Sequence, residues 1–533
     1  MANTFYEQLG VPAPKGNILE RQRHRMTFRN ERVLYNRKCD KTGKDIISMY
    51  HPDSPYKVYE QEAWWSDDWD PMDYGREYDF SRAFFEQFAE LQQKVPRMNL
   101  NVIGSENCNY TNYALRNRNC YLIYTADYNE NCMYGRMGLK NYECLDWDFA
   151  DDNKHCYEIT DCYTCHSCYF CRKCEATYDS YFSLNLKGCN NCLGCVNLTQ
   201  QSYQIFNEKV SEEEFKKKKE EVFSSYENMM KFKEQTEAFF LKFPRKDMEI
   251  LNCENSIGDY LKNCRNAEYC FDSYDLEDCK YTSYTMGLKN CEDWDFVGVR
   301  SELCYQMVNC AYDLHECKFC MNCWEGCNNL NYCDLCLSSS DLFGCVGLRS
   351  KKQFCILNKQ YTEDQYKELV PKIIEHMKST GQWGQFFPQS CNLFAYNESI
   401  AHEHYPLSKE QATQLGYNWR EKEEKQIAQS SVKIPANTEN SDESLCNEVL
   451  ACEQCKKAYK ILKQELVFHK KTGIPFARVC PDCRHDKRMA KRNPRQIFSR
   501  KCAKCQKAIK TTYSENKPEI VYCGDCYQKE VFA

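Results

Sequence analysis

The chain has 533 residues, a formal net charge of −6 and 39 cysteines. This length predicts several hydrophobic cores. No stretch reaches the roughly 18 apolar residues that cross a membrane, and the first residues lack the apolar segment of a secretion signal. Four Cys-x2-Cys pairs near the carboxyl end have zinc spacing, and zinc thiolates are typical of reducing compartments. We therefore expect a soluble, cytoplasmic protein without structural disulfides.

Charge is unevenly distributed along the chain. Residues 452 to 512 contain eighteen Lys or Arg against four Asp or Glu, and residues 15 to 44 contain ten against three. The middle of the chain must therefore be acidic. Basic ends favour contact with a polyanion, although a charge run is more often a solvated face.

The amino-terminal region resembles the end of the chain. Residues 21 to 64 align with residues 484 to 527 at a constant offset of 463, without a gap, and sixteen of the forty-four positions are identical. The cysteines of the later copy, Cys502, Cys505, Cys523 and Cys526, align with Cys39, Thr42, Glu60 and Ala63. We predict that residues 1 to 97 hold a metal-free copy of the ribbon, followed by an acidic, aromatic cap that includes Trp64 and Trp65.

A cysteine array follows this region. From Cys108 to Cys174 the cysteines recur mostly at steps of twelve or six residues. A six-residue interval would place each side chain at one position on successive layers of a parallel β-helix, whereas an α-helix would scatter them around its axis. The predicted fold class is mainly β: a duplicated cysteine-rich β-solenoid with inserted helices, plus terminal zinc-ribbon modules.

The array occurs twice. The segment from Cys144 to Phe149, Cys-Leu-Asp-Trp-Asp-Phe, returns from Cys291 to Phe296 as Cys-Glu-Asp-Trp-Asp-Phe. We predict repeat block 1 at 98–210, a helical insertion at 211–245, repeat block 2 at 246–360, a helical cap at 361–420 and a flexible linker at 421–447. Ser211 and Thr362 open capping-box patterns that predict the starts of two helices.

Within block 1 the spacing tightens to three residues between Cys162 and Cys174. An iron–sulfur run of the ferredoxin type needs a longer last interval and a proline after the final cysteine, and both are missing. The pattern favours reduced cysteines that pack inward as small hydrophobic side chains.

The carboxyl-terminal cysteines form two complete sets. The first zinc ribbon, at 448–488, contains Cys452, Cys455, Cys480 and Cys483, and the second, at 489–533, contains Cys502, Cys505, Cys523 and Cys526. Four thiolates close a tetrahedral structural zinc site, so we predict two Zn²⁺ ions per chain. Redox-active Cys-x2-Cys normally occurs as one pair beside a helix, which makes it the weaker alternative.

The segment Cys480-Pro481-Asp482-Cys483-Arg484 resembles the end of a bacterial treble-clef zinc-ribbon family. The resemblance covers the first ribbon and implies Cys452, Cys455, Cys480 and Cys483 as zinc ligands. More loosely, the whole chain resembles cysteine-rich repeat proteins of bacteria in the candidate phyla radiation. That group implies a fold and zinc but no established activity.

A basic stripe lies between the two cysteine sets. On a helix its first members share one face by i, i+3 and i+4 spacing. The predicted nucleic-acid-binding residues are Arg484, Lys487, Arg488, Lys491, Arg492, Arg495, Arg500, Lys501 and Lys504. They favour non-specific binding to the backbone of RNA or DNA. The alternative is that the stripe docks on the acidic solenoid of the same chain.

These observations favour a non-catalytic zinc-binding scaffold whose ribbons hold nucleic acid and whose solenoid binds protein partners. A metal-dependent nuclease is one alternative, because Asp146, Asp148, Asp293 and Asp295 could hold Mg²⁺. Alternate residues around Trp147 or Trp294 equally describe a strand with the tryptophan on its other face. A thiol or metal reservoir is a further alternative. The sequence contains no Gly-rich phosphate loop and no nucleophile with an evident base.

Overall fold

The computed structural model of the protein describes residues 3–308, 318–321, 326–349, 351–421, 432–439 and 441–531. Strands make up 29% of the structure and helices 25%, so the protein is mixed α and β rather than mainly β as the sequence predicted. Most strands lie in parallel sheets. No helix in the described ranges is long and apolar enough to cross a membrane.

Block 1 is a stack of parallel strands that ends in one short antiparallel strand, Glu208–Lys209. Its strands are Val102–Ile103, Asn112–Leu115, Tyr121–Asp127, Met133–Leu139, Leu145–Asp151, Tyr157–Tyr163, Leu184–Lys187, Asn190–Leu193, Val196–Thr199, Ser202–Ile205 and Glu208–Lys209. Tyr157 lies opposite Leu145, and Leu145 lies opposite Met133, so each layer advances by twelve residues. The expectation that six residues separate successive layers is therefore wrong: a six-residue step moves to another position within one layer.

Every third residue of block 1 faces the core. From Asn141 to Cys195 each such residue is buried, and the residue immediately before it has φ between +44° and +68°. This left-handed conformation turns the chain at three-residue intervals. Non-glycine residues rarely adopt it so regularly. The cysteines from Cys162 to Cys174 are therefore consecutive inward positions.

The chemistry of the inward positions explains why cysteine suits them. The Cys144 thiol donates to the carbonyl of Tyr142 at 3.4 Å, and the Ser180 hydroxyl donates to the carbonyl of Tyr178 at 2.9 Å. Each of these carbonyls also accepts from a backbone amide, that of His155 or that of Asn191. The small inward side chain therefore finds a buried acceptor for its one donor and leaves no polar group unpaired. Burial raises the pKa of Cys144 above its usual value and that of Cys270 in block 2 to about 12, which favours the neutral thiol at these two positions.

Block 2 repeats this architecture less regularly. Its strands are Ile250–Leu251, Ile257–Lys262, Glu268–Tyr274, Ser283–Met286, Glu292–Val299, Tyr305–Val308, Asn328–Asn331, Ser340–Phe343, Gln353–Ile356 and Lys359–Gln360. The register contracts to eleven residues between Ile257 and Glu268 and expands to thirteen between Glu292 and Tyr305. The two blocks are thus related but not identical.

The helices lie outside the strand blocks. They are Asn3–Leu9, Ile18–Met26, Gln61–Trp65, Phe84–Lys94, Glu212–Phe223, Tyr226–Phe240, Glu363–Ser379, Ile400–His404, Lys409–Gln414, Lys463–Thr472, Pro481–Met489 and Gly524–Val531. Both predicted capping boxes are confirmed, at Ser211 with Glu214 and at Thr362 with Gln365. Part of the predicted linker, residues 422–431 and 440, lies outside the described residues. In its described part, the carbonyl of Ala436 accepts from the Tyr226 amide at 2.9 Å.

The ribbon elements recur at the constant offset found in the sequence. The hairpin Tyr35–Lys38 and Asp45–Ser48 corresponds to Phe498–Lys501 and Ala508–Thr511, and the short strand Val58–Tyr59 corresponds to Val521–Tyr522. The first ribbon has a hairpin of its own, Leu450–Ala451 with Ala458–Tyr459.

Each copy of the short strand pairs with the segment that immediately precedes one of the blocks. Val58–Tyr59 pairs in parallel with Arg97–Met98, before block 1, and Val521–Tyr522 pairs with Arg245–Lys246, before block 2. In the amino-terminal copy Trp64 is fully buried, donates from its indole to the carbonyl of Pro96 at 2.9 Å and lies in a cluster with residues of block 2. The ribbon copies are therefore integrated with the blocks.

Candidate metal centres

The structure brings the carboxyl-terminal cysteines together in two groups of four. One is Cys452, Cys455, Cys480 and Cys483, and the other is Cys502, Cys505, Cys523 and Cys526; the sulfurs of each group lie within 4.8 Å of one another. In each group one pair lies in the turn of a hairpin and the other at the start of a helix, Pro481–Met489 or Gly524–Val531. The spacing in the sequence thus corresponds to two compact sites.

The sulfur distances fit a tetrahedral metal. The Sγ atoms are 3.8 Å apart for Cys452 and Cys483, and 3.7 Å for Cys455 and Cys480. Four sulfurs that each lie about 2.3 Å from a tetrahedral zinc are about 3.8 Å apart. Each group can therefore accept a metal ion with little rearrangement, and four thiolate ligands leave no open position for catalysis.

Backbone amides favour the thiolate form of one sulfur in each group. Burial raises the pKa of Cys452, but the amides of Cys455 and Cys480 outweigh it and lower the pKa to about 6. The amide of Cys480 donates to the Cys452 sulfur at 3.2 Å, and the amide of Cys523 donates to Cys502 in the same way. The thiolate is the form that binds metal.

Cys39 keeps the backbone geometry of these sites without the other ligands. Its sulfur accepts from the amides of Thr42 and Glu60 at 3.4 and 3.3 Å. The bond from Glu60 corresponds to the bond from Cys523 to Cys502. Thr42, Glu60 and Ala63 occupy the remaining positions, so one thiol stands where the later copy has four.

We expect Cys455→Ser to lower the zinc content of the full chain from two ions to one. The substitution removes one of four thiolates and leaves the second group intact. Cys39→Ser is the matched control and should leave two ions bound. Metal content per chain, measured by inductively coupled plasma mass spectrometry, tests both variants. Full retention of metal by Cys455→Ser, or a loss with Cys39→Ser, would contradict the assignment.

The arginines of the predicted basic stripe are mostly buried. Arg484, Arg488 and Arg495 are 1%, 5% and 4% exposed. The Arg492 side chain is 8% exposed and pairs with Asp161 and Asp272. These four side chains do not have the solvent exposure that the nucleic-acid prediction requires. Their positions correspond to the alternative in which the stripe docks on the chain's own acidic block.

The other residues of that prediction are placed differently. Lys487 and Lys501 are exposed. Lys491 pairs with Glu237 at 2.5 Å, and Lys504 pairs with Glu530 at 2.5 Å. Arg500 donates to two carbonyls of its own ribbon, at 3.1 and 3.0 Å. The lysines of the second ribbon are therefore the accessible part of the predicted surface.

Helix Pro481–Met489 docks on the Asp-Trp-Asp strand of block 1. Arg488 reaches Asp148 through Nε at 2.6 Å and Asp146 through Nη1 at 2.9 Å. Arg484 approaches Asp146 at 2.8 Å. His485 adds a contact to Asp148 at 3.0 Å. We call this arrangement the block 1 dock.

The same arrangement occurs between the other ribbon copy and the other block. Helix Ile18–Met26 places Arg25 against Asp295 through Nε and Asp293 through Nη1, both at 2.8 Å. Arg21 approaches Asp293 at 3.2 Å. We call this the block 2 dock. Each ribbon copy therefore pairs its short strand with the segment before one block and docks its helix on the other block.

A third arginine of each helix region lies between the two blocks. Arg29 packs over Tyr113 of block 1 and Phe296 of block 2, at 3.7 and 4.7 Å from the ring centres. Arg492 packs over Phe149 of block 1 at 3.5 Å and Tyr260 of block 2 at 4.4 Å. Cation–π contacts of this kind are stronger where water is excluded. These arginines tie the blocks together.

The docks occupy the carboxylates that were candidates for a Mg²⁺ site. Asp146 and Asp148 are fully buried on one side of strand Leu145–Asp151, and Trp147 packs into the core on the other side. This agrees with the strand alternative. The sequence left docking of the stripe on the acidic block as an alternative, but it did not identify these aspartates as the partners of the arginines.

Comparison with known proteins gives no functional assignment. No protein-family model matches the chain, and no curated protein matches it. Among solved structures, the chain is similar to a putative acetyltransferase from Desulfovibrio desulfuricans G20, at 9% identity over 50% of this chain and 69% of that chain, with a TM-score of 0.10. Similarity at that level supports no argument about fold or activity.

Proposed function

We propose that the protein is a non-catalytic zinc-binding scaffold whose second ribbon binds the backbone of RNA or DNA. In this proposal the two strand blocks form a duplicated β-solenoid with twelve residues in each coil. The parallel register and the inward position of every third residue support that interpretation. Zinc is the proposed metal because four thiolates in a tetrahedral group suit it.

The nucleic-acid proposal rests on a difference between the two ribbon copies. In the amino-terminal copy Lys38 pairs with Asp45 at 2.7 Å, and Lys44 pairs with Glu60 at 3.1 Å. The corresponding lysines of the second ribbon are Lys501 and Lys507. Ala508 and Cys523 stand where the earlier copy has the two carboxylates, so these charges are not neutralised in the same way.

A cluster of exposed lysines results at the tip of the second ribbon. Lys501, Lys507 and Lys510 are exposed, and no carboxylate among the described residues forms an ion pair with any of them. Lys510 donates to the Ser499 hydroxyl at 2.9 Å, which keeps its charge at the surface. Lysines held on a hairpin that a metal stabilises can contact phosphates without sequence preference.

We expect the triple variant Lys501→Gln, Lys507→Gln and Lys510→Gln to weaken nucleic-acid binding and its salt dependence. Each phosphate contact contributes about 0.9 to the slope of log affinity against log salt on duplex DNA. Losing three contacts should therefore reduce the slope by about 2.7. Fluorescence anisotropy with labelled duplex DNA and single-stranded RNA at several salt concentrations measures it.

The amino-terminal copy provides the matched control. Changing Lys38, Lys41 and Lys44 to Gln removes the same number of charges, but these lysines already pair with carboxylates. This control should leave the slope unchanged. Equal losses in the two triple variants, or no binding by the unmodified protein at low salt, would reject the nucleic-acid proposal.

The alternatives receive less support. A nuclease that holds Mg²⁺ at Asp146 and Asp148 would have to displace Arg488, which bonds to both carboxylates. A thiol reservoir would require accessible thiols, whereas core cysteines such as Cys270 and Cys355 are completely buried. The scaffold proposal needs neither change.

A further inference from the structure

The two docks differ in how the start of each helix is held. Cys480 is the N-cap of helix Pro481–Met489, and Cys483 lies in its first turn, one residue before Arg484. When the alignment of the two ribbon copies is extended without a gap, Asn17 and Glu20 stand in place of these two cysteines. Asn17 caps helix Ile18–Met26 by accepting from the Leu19 amide at 2.8 Å.

This difference assigns the two helices different sources of stability. An asparagine cap stabilises the start of helix Ile18–Met26 without metal. Both helices have an acidic residue in the first turn, Glu20 or Asp482, so the cap is the difference between them. Helix Pro481–Met489 has no side-chain cap, and its start supplies two of the four sulfurs of the first metal site. Metal at this site would fix the position of the turn that carries Arg484.

Arg484 and Arg488 need that fixed position because the block 1 dock is buried away from solvent. Asp146 and Asp148 are completely buried, so the carboxylates depend on precise contacts with Arg484 and Arg488 to offset their desolvation. The first ribbon adds a second link through Glu465, which accepts from the Tyr134 hydroxyl of block 1 at 2.8 Å. Glu465 also approaches Arg484 at 3.2 Å.

We propose that the Asp-Trp-Asp strands are receptor sites for the arginine helices of the chain's own ribbons, and that metal at the first site controls docking on block 1. The block 2 dock has the same ion-pair geometry but is independent of metal. Metal loss therefore releases helix Pro481–Met489 from block 1 and leaves helix Ile18–Met26 on block 2. This inference rests on metal binding and does not depend on nucleic-acid binding.

Hydrogen exchange of the full chain, followed by mass spectrometry, tests the inference. After a zinc chelator removes the metal, amides of 481–489 and 145–151 should exchange at least about 10-fold faster. Amides of 18–26 and 292–299, the equivalent segments of the block 2 dock, should keep their rates. Metal content is measured on the same samples before and after chelation. Absence of metal from the untreated protein would also overturn the proposal.

Two single substitutions separate the sites. Cys455→Ser should reproduce the chelator effect at 145–151, because it disrupts the first site while leaving every arginine in place. Cys505→Ser disrupts the second site and should leave 145–151 protected. Unchanged protection of 145–151 after metal loss would overturn the proposal, as would equal deprotection of both docks or an equal effect of the two substitutions.

Discussion

Arg488→Met is expected to destabilise strand Leu145–Asp151 by about 3–5 kcal/mol, since removing one partner of a buried ion pair leaves uncompensated charge. Arg488 is 5% exposed and bonds to Asp146 and Asp148, both fully buried. The loss should appear as a lower free energy of local opening for the amides of 145–151, measured by hydrogen exchange in the native state.

Two further variants show whether charge causes the loss. Lys487→Met removes a neighbouring exposed charge and should change the opening free energy by less than about 0.5 kcal/mol. The double variant Arg488→Met with Asp148→Asn should recover part of the loss, because it also removes one of the unpaired carboxylates. Arg25→Met should have an equally large effect at 292–299. A loss under about 1 kcal/mol for Arg488→Met would contradict a tightly coupled buried pair.

The ribbon copies and the metal ligands could be identified from sequence because their signals are local. A Cys-x2-Cys pair can be recognised as a metal-binding motif from four residues. A gapless alignment of the two ribbon copies predicts that they share the same set of helices and strands. Helix starts at Ser211 and Thr362 were equally local, since a capping box is written in four residues. The structure agrees with each of these predictions at the level of secondary structure and sulfur position.

The environment of the basic stripe could not be predicted in the same way. An arginine at i and another at i+4 share a helix face whether that face meets solvent, phosphate or a buried carboxylate. Arg488 pairs with Asp146 and Asp148, which lie in the first strand block, far from Arg488 along the chain. Both repeats were visible in the sequence, but the sequence does not say that each ribbon docks on the block farther from it.

The layer repeat illustrates a different limit. Cysteines at six-residue intervals are compatible with any layer whose length is a multiple of six, so spacing alone could not choose twelve. The choice depends on the backbone: a left-handed residue precedes each inward residue, as at Asp146 before Trp147. Local residue preferences disfavour that conformation for most of the side chains that adopt it here.

The core of block 1 contains a second feature that spacing did not predict, and it supports a large expected effect. Trp147 is fully buried and lies directly opposite Gly135 in the neighbouring layer. A Cβ atom at Gly135 would lie 1.9 Å from Cε2 of the indole, and one at Gly138 would lie 2.3 Å from Cζ3. The two glycines therefore create the space that the ring occupies.

We expect Gly135→Ala to destabilise block 1 by about 3 kcal/mol, at the upper end of typical overpacking costs. The indole is rigid, and the close-packed core around it leaves no room to move. Gly298→Ala in block 2 is the matched control, because its Cβ would lie 2.9 Å from the Trp294 ring and should cost less. In a Trp147→Leu background, which leaves space above Gly135, the same alanine should cost less than about 1 kcal/mol. Opening free energies of the 133–139 amides measure these differences. An equal cost of Gly135→Ala in both backgrounds would show that the Trp147 ring is not the reason why glycine is required at position 135.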